Sequence, residues 1–397
     1  MRTFKRNPLL ASALIVLGGV MLALGTAKAE TTSDRPAGLI IMPKLIFDSS
    51  GTLGVLTGNG TPVDTEIQLT NTSDQEARMR CFYVNANSHC TNNPSAVCSV
   101  TADCQQFGLG GLCFAGWVET DFHLTLSPHQ PIIWRISEGL SAPPRPATGN
   151  VPAVNEDPFI GELKCFQVGE NDEPIDRNDL KAEVSIISYT STSIDARAYN
   201  GIGLQAVQGG NDGDNTLILG GDDPEYSGCP SVLIMNHFFD DAVEPVSGNY
   251  VKTHLTLVPC TENFLLQDVA LFATTAQFLV FNEFEQRFSA SRSVECFKEF
   301  ELCALGTGTD RAITDVSASS NSCERSVFSA FVAGTLTGQT RIRGVDDAST
   351  PHGEGLVGIG EEFFRTSPTA LNTVRATDAF NLHEAGERVV PDLITVP

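Results

Sequence analysis

The chain has 397 residues, 41% of them hydrophobic, and carries 48 Asp and Glu against 25 Lys and Arg, a formal charge of −23. A surface this acidic repels phosphate backbones and anionic bilayers, which excludes nucleic acid and membrane surfaces as expected partners. The length leaves ample chain for sizeable apolar cores.

The first thirty residues set the compartment. Arg2, Lys5 and Arg6 form a basic start, Leu9 to Leu24 an apolar run, and Ala27-Lys28-Ala29 the small residues read by a signal peptidase. The apolar run is about 16 residues, short of the roughly 20 that span a bilayer. Residues 1–29 therefore read as a signal peptide, and the mature chain as soluble and exported to the periplasm, the cell surface or the medium. Its removal takes four bases (Arg2, Lys5, Arg6, Lys28) and no acid, so the formal charge moves from −23 to −27. No later stretch is expected to insert in a membrane. All eleven cysteines remain in the mature chain. An exported chain meets oxidising conditions, so disulfides are expected, and an odd count leaves at least one thiol.

Short alternating runs divided by Gly, Pro, Asn and Asp predict an all-β protein. Leu39 to Phe47 reads as an edge or bulged strand around Pro43, because proline cannot donate to a central ladder. Asp64–Thr70 and Ala77–Val84 read as a β-hairpin, with Ile67 and Leu69 facing Met79, Cys81 and Tyr83. Further strands are expected at Phe122–Leu126, Ile132–Ile136, Phe159–Val168, Ala182–Ile186 and Ala196–Val207. After a glycine- and acid-rich stretch at 209–228 come Val232–Phe239, Val251–Leu257, Phe278–Phe288, Ser293–Phe297, Ser326–Val332, Thr335–Ile342, Leu356–Phe364 and Val389–Val396. A helical turn is expected near Leu371–Phe380. The predicted organisation is two mostly antiparallel β-sandwich domains, residues 30–225 and 226–397, with an insert at about 88–114 in the first. A faint internal echo sets Leu69 and Phe82-Tyr83-Val84-Asn85 beside Leu257 and Leu279-Val280-Phe281-Asn282; tandem sandwiches or any two hairpins would produce it.

The insert is the most specific pattern. Cys90, Cys98, Cys104 and Cys113 are separated by seven, five and eight residues. Zinc ligands come in pairs two to four apart, so this spacing favours disulfides although His89 adjoins Cys90. The connectivity of these four stays open. Cys81 with Cys165 and Cys229 with Cys260 are plausible further pairs. The acidic loop offers Asn211, Asp212, Asp214, Asn215, Asp222 and Asp223 as oxygen ligands for a structural calcium ion, the one cofactor considered. An exposed interdomain turn explains the same residues.

Other motifs carry less. Gly353-Glu-Gly355-Leu-Val-Gly358 matches a dinucleotide-binding spacing, but no strand–helix unit surrounds it, so a turn entering a strand is expected. Glu283 and Glu285 would share a strand face and invite comparison with glycosidase acids, with a solvated face as the plainer reading. No nucleophile elbow or H-E-x-x-H occurs. His123, His237 and His254 read as strand residues, and Trp117 and Trp134 as core or as sugar-stacking platforms.

The signal peptide, the alternating strands and the run from Cys90 to Cys113 together resemble Sec-exported, immunoglobulin-like surface proteins of bacteria with a small cysteine-rich insert. The resemblance implies an extracellular scaffold with a stapled loop and brings no catalytic residues. The expected function is non-enzymatic binding or assembly with a protein or glycan partner. A calcium-dependent carbohydrate-binding module and an exported glycoside hydrolase using Glu283 are the alternatives.

Overall fold

The computed structural model describes residues 31–51, 61–98, 101–114, 118–189, 194–240, 242–265, 274–306, 331–345, 354–367 and 374–397. The expected signal peptide, Trp117, Gly353 and residues 326–330 and 371–373 lie outside these. The chain is all-β, 58% strand and 4% helix. Among the described residues no helix is long and apolar enough to cross a membrane.

The first half supplies β1 (Leu39–Phe47), β2 (Val63–Asn71), β3 (Ala77–Asn85), β4 (Val118–Leu126), β5 (Pro131–Arg135), β6 (Phe159–Val168), β7 (Leu180–Tyr189), β8 (Ile194–Asn200) and β9 (Ile202–Leu204). The second supplies β10 (Pro230–Phe238), β11 (Tyr250–Pro259), β12 (Thr274–Asn282), β13 (Arg287–Val294), β14 (Lys298–Glu301), β15 (Thr337–Val345), β16 (Leu356–Arg365), β17 (Val374–Asn381) and β18 (His383–Glu387). Sheet I has the order β9-β1-β6-β3-β4, with short strands added at both edges, and sheet II runs β8-β7-β2-β5. Sheet III runs β18-β10-β15-β12-β13 and sheet IV runs β17-β16-β11-β14. Adding nine to each strand of sheets I and II reproduces sheets III and IV. The two halves share one topology, and the internal echo falls on equivalent strands, β2–β3 and β11–β12.

Alternation explains which side chains turn inward. Ile67, Leu69, Met79, Cys81, Tyr83 and Leu163 meet in one core between sheets I and II. Met235, Leu255, Phe278, Val280 and Ile342 meet in another between sheets III and IV. Each such side chain, fully buried, contributes about 1.5–3 kcal/mol. A third core lies on the outer face of sheet I. There Leu39, Ile41, Phe82 and Phe166 pack with Val258 and Val357 of sheet IV. A small sheet of Thr216–Leu219, Asp392–Thr395 and Glu262–Asn263 completes that layer. The edges of sheets II and IV also meet: Asn200 N donates to Asn381 Oδ1 at 2.9 Å, and Asn381 Nδ2 to Asn200 O at 2.7 Å. Together the four sheets take a propeller-like arrangement.

Several expectations are corrected. β2 and β3 do not form a hairpin: β2 pairs with β7 and β5, and β3 with β6 and β4. The chain arches between sheets because Asn71 holds the turn, its Nδ2 donating to Gln75 O and Ser127 O and its Oδ1 accepting from Ser73 N. β1 is bulged but interior, paired on both sides. Next to Pro43, Lys44 satisfies its backbone across the core instead: its N–H donates to Tyr199 Oη, whose hydroxyl donates to Lys44 O. The expected Ala196–Val207 strand divides at Gly201 into β8 and β9, which join different sheets. No helix forms at 374–380, which is β17. Residues Leu356–Arg365 form β16, antiparallel to β11, so the glycine motif has no dinucleotide-binding context.

Candidate functional site

Polar chemistry concentrates in two places, one closed and one open. The closed one is the junction of sheets I and IV. Lys44 Nζ bonds Glu299 Oε1 at 2.6 Å and also bonds Glu361. Arg197 Nε meets Glu361 Oε1 at 2.6 Å, and all four side chains are fully buried. Burial raises the Glu361 carboxyl, but Lys44 and Arg197 beside it outweigh that and hold it at about 2. Nearby, Lys164 Nζ bonds Glu262, Glu162 Oε1 at 3.2 Å and Pro259 O at 3.2 Å. Two buried carboxylates around one ammonium leave an excess negative charge, which low-dielectric surroundings penalise heavily. Burial, and then the neighbouring Glu262, push Glu162 well above the usual range, despite Lys164. Burial raises Glu262 as well, but Glu162 is the one pushed further toward its neutral form. Glu162 Oε2 and Glu262 Oε1 are buried without a hydrogen-bond partner. These buried charges join the two halves.

The open place is the outer face of sheet III, a basin of about 870 Å³ lined by Val232, Ile234, Gln277, Leu279, Arg341 and Arg343 among others. Successive outward positions on β15 place Gln339, Arg341 and Arg343 in a row, spaced about 7 Å apart by strand geometry. Arg341 Nε donates to Gln339 Oε1 at 3.3 Å, and its guanidinium lies 5.7 Å from the Phe281 ring. Both arginines are exposed. The rungs Asn236–Gln339–Phe281 and Ile234–Arg341–Leu279 and the pair Arg343–Gln277 carry no carboxylate. In so acidic a chain, a cationic and partly apolar sheet face favours a ligand with negative charge and a flat or apolar body. Sequence reading had the strand but not the site; the Gln339-x-Arg341-x-Arg343 alternation was its signal.

The residues singled out earlier are not gathered there. The insert cysteines pair as Cys90–Cys104 and Cys98–Cys113, beside Cys81–Cys165 and Cys229–Cys260. Cys303 is also disulfide-bonded, and Cys296 is a buried thiol. His89 Nε2 meets Glu156 Oε1 at 2.6 Å, tying the insert to the segment between β5 and β6. In the acidic loop, Asn211, Asp212 and Asp214 each accept the amide two residues on, from Gly213, Asp214 and Thr216. Asn215, Asp222 and Asp223 are exposed. Among the described residues the His, Cys, Asp and Glu groups close enough to share an ion are Cys90/Cys98/Cys104 and Cys229/Cys260/Asp392. Their sulfurs are spent in disulfides.

Glu283 and Glu285 do not share a strand face, since β12 ends at Asn282. Asn282 Oδ1 accepts from Phe284 N and Gln286 N and so closes a turn, while Glu283 accepts from Leu336 N and Thr337 N. Trp134 is core, donating to Tyr83 Oη at 2.7 Å. His123 is exposed beside Asp172. His254 lies in the seam, 3.4 Å from Glu299. His237 is buried against Phe238 O and Thr340 Oγ1, and burial lowers it to about 4. No protein-family model matches the chain, and no curated protein matches it.

Proposed function

We propose that the chain is an exported, non-enzymatic binding protein built from two tandem immunoglobulin-like β-sandwich units, with the outer face of sheet III as its recognition surface. Two separate apolar cores support the sandwich reading over four independent blades. The disulfides are consistent with an oxidising, exported setting. One observation carries the binding reading: Arg341 and Arg343 stand exposed over an apolar basin in a chain of formal charge −23.

The test is a panel of acidic and neutral glycans and peptides, run on the mature chain and on Arg341→Glu/Arg343→Glu. A ligand retained by the first and lost by the second is expected. If no ligand distinguishes the two proteins, the basin is not the recognition surface. Turnover of ester, glycan or peptide substrates would remove the non-enzymatic reading.

A further inference from the structure

The repeat supplies a template for what the basin takes. In sheet I the rung through Lys164 reads Ile202–Ile41–Lys164–Phe82–Asp121. In sheet III the equivalent rung reads His383–Ile234–Arg341–Leu279–Ser289. The registration is secured along the chain: β3 and β12 both span nine residues and end in Asn85 and Asn282, and β7 and β16 both span ten. It also pairs Asn200 with Asn381, each opposite its counterpart position, Glu183 and Ile359. Lys164 and Arg341 are therefore one position occupied twice by a cation. Phe82 and Leu279 are the apolar neighbour beside it.

In sheet I this position is covered by the chain itself. The segment Glu262-Asn263-Phe264 lies across the face, its Glu262 carboxylate on Lys164 Nζ and its Phe264 ring stacked on Phe82, centroids 4.1 Å apart and planes within 11°. Among the described residues nothing lies so on the Arg341 rung, which remains exposed. Resting on the binding role proposed above, we infer that the sheet III basin binds an extended acidic peptide segment with a carboxylate and an aromatic side chain two residues apart. The carboxylate pairs with Arg341 bidentately, which a guanidinium does better than an ammonium. The aromatic ring covers Leu279 and Ile234, and Arg343 donates to a second acid or to the peptide carbonyls.

The probe is a fluorescein-labelled peptide of residues 259–265 with Cys260 replaced by serine, titrated into the mature chain and followed by anisotropy. Saturable binding is expected. It should weaken about tenfold or more in Arg341→Gln and equally on replacing the peptide glutamate by glutamine, as for a close charge pair. Arg341→Lys should restore part of the affinity, and Arg78→Gln on another face should change nothing. Unchanged melting temperatures identify the variants as folded. Polygalacturonate binding that depends on Arg341, without peptide binding, overturns the peptide inference and leaves the basin as a recognition surface. Failure of both ligands overturns both.

Discussion

At the scale of the residue, the buried seam makes opposite demands on neighbouring side chains. Glu162 is the carboxyl that burial and Glu262 push furthest toward its neutral form, so Glu162→Gln changes the charge balance least and is expected to cost about 1 kcal/mol, the worth of one hydrogen bond. Lys164→Met leaves the Glu262 charge uncompensated and should cost about 3–5 kcal/mol. Urea unfolding of the two variants decides; equal losses would show that Glu162 is ionised. A second residue couples stability to pH. Glu384, on β18 opposite Leu233, is raised from 4.5 to about 7 by burial. A carboxyl with a raised folded-state value adds stability that is full below about 4.5 and is lost as pH rises through 7. Between pH 5 and 8 the protein should lose about 1–3 kcal/mol more than Glu384→Gln does. Parallel stability–pH curves for the two would refute the assignment.

At the scale of the element, the disulfides divide into two kinds. Cys81–Cys165 joins the paired strands β3 and β6 inside the first core. The insert bridges hold a cluster of their own, Cys90, Cys98 and Cys104 with Ala96. Cys81→Ala/Cys165→Ala should lower global stability by about 4 kcal/mol, because the bridge closes a long loop within the core. Cys90→Ser/Cys104→Ser should raise hydrogen exchange across residues 88–114 and leave the main unfolding transition nearly in place. A comparable fall in global stability from the insert pair would mean that the insert braces sheet I. The insert also marks where the halves diverge: it lies between β3 and β4, whereas β12 reaches β13 through the short turn at 283–286.

At the scale of the whole molecule, the halves share a topology but not an environment. Sheet I is covered on both faces, as the wholly buried β6 shows, while among the described residues sheet III keeps one face open. A chain ending at residue 229 would expose Leu39, Ile41, Phe82 and Phe166 and strand Lys44 and Lys164 without Glu299, Glu361 and Glu262. Such a fragment is expected to aggregate, and the intact chain to unfold in one cooperative transition. Two resolved calorimetric transitions, or a monomeric folded fragment, would contradict this.

The sequence by itself determined the all-β class, most strand positions and the disulfide chemistry, because alternation and cysteine usage are local properties. It reported which side chains of β2 and β3 turn inward, and those residues do meet. It did not determine that they meet across two sheets, since backbone ladders are blind to side-chain identity and any strand can pair with any other. Glu162 and Lys164 alternate with Leu163 and Cys165 along one strand; only the packing of sheet IV and the small sheet over them makes their face an interior. The basin is the reverse case. Arg341 and Arg343 look like ordinary surface charge until the register places them at positions that the first half covers with its own chain. Tertiary structure alone decides which of two equivalent faces is covered.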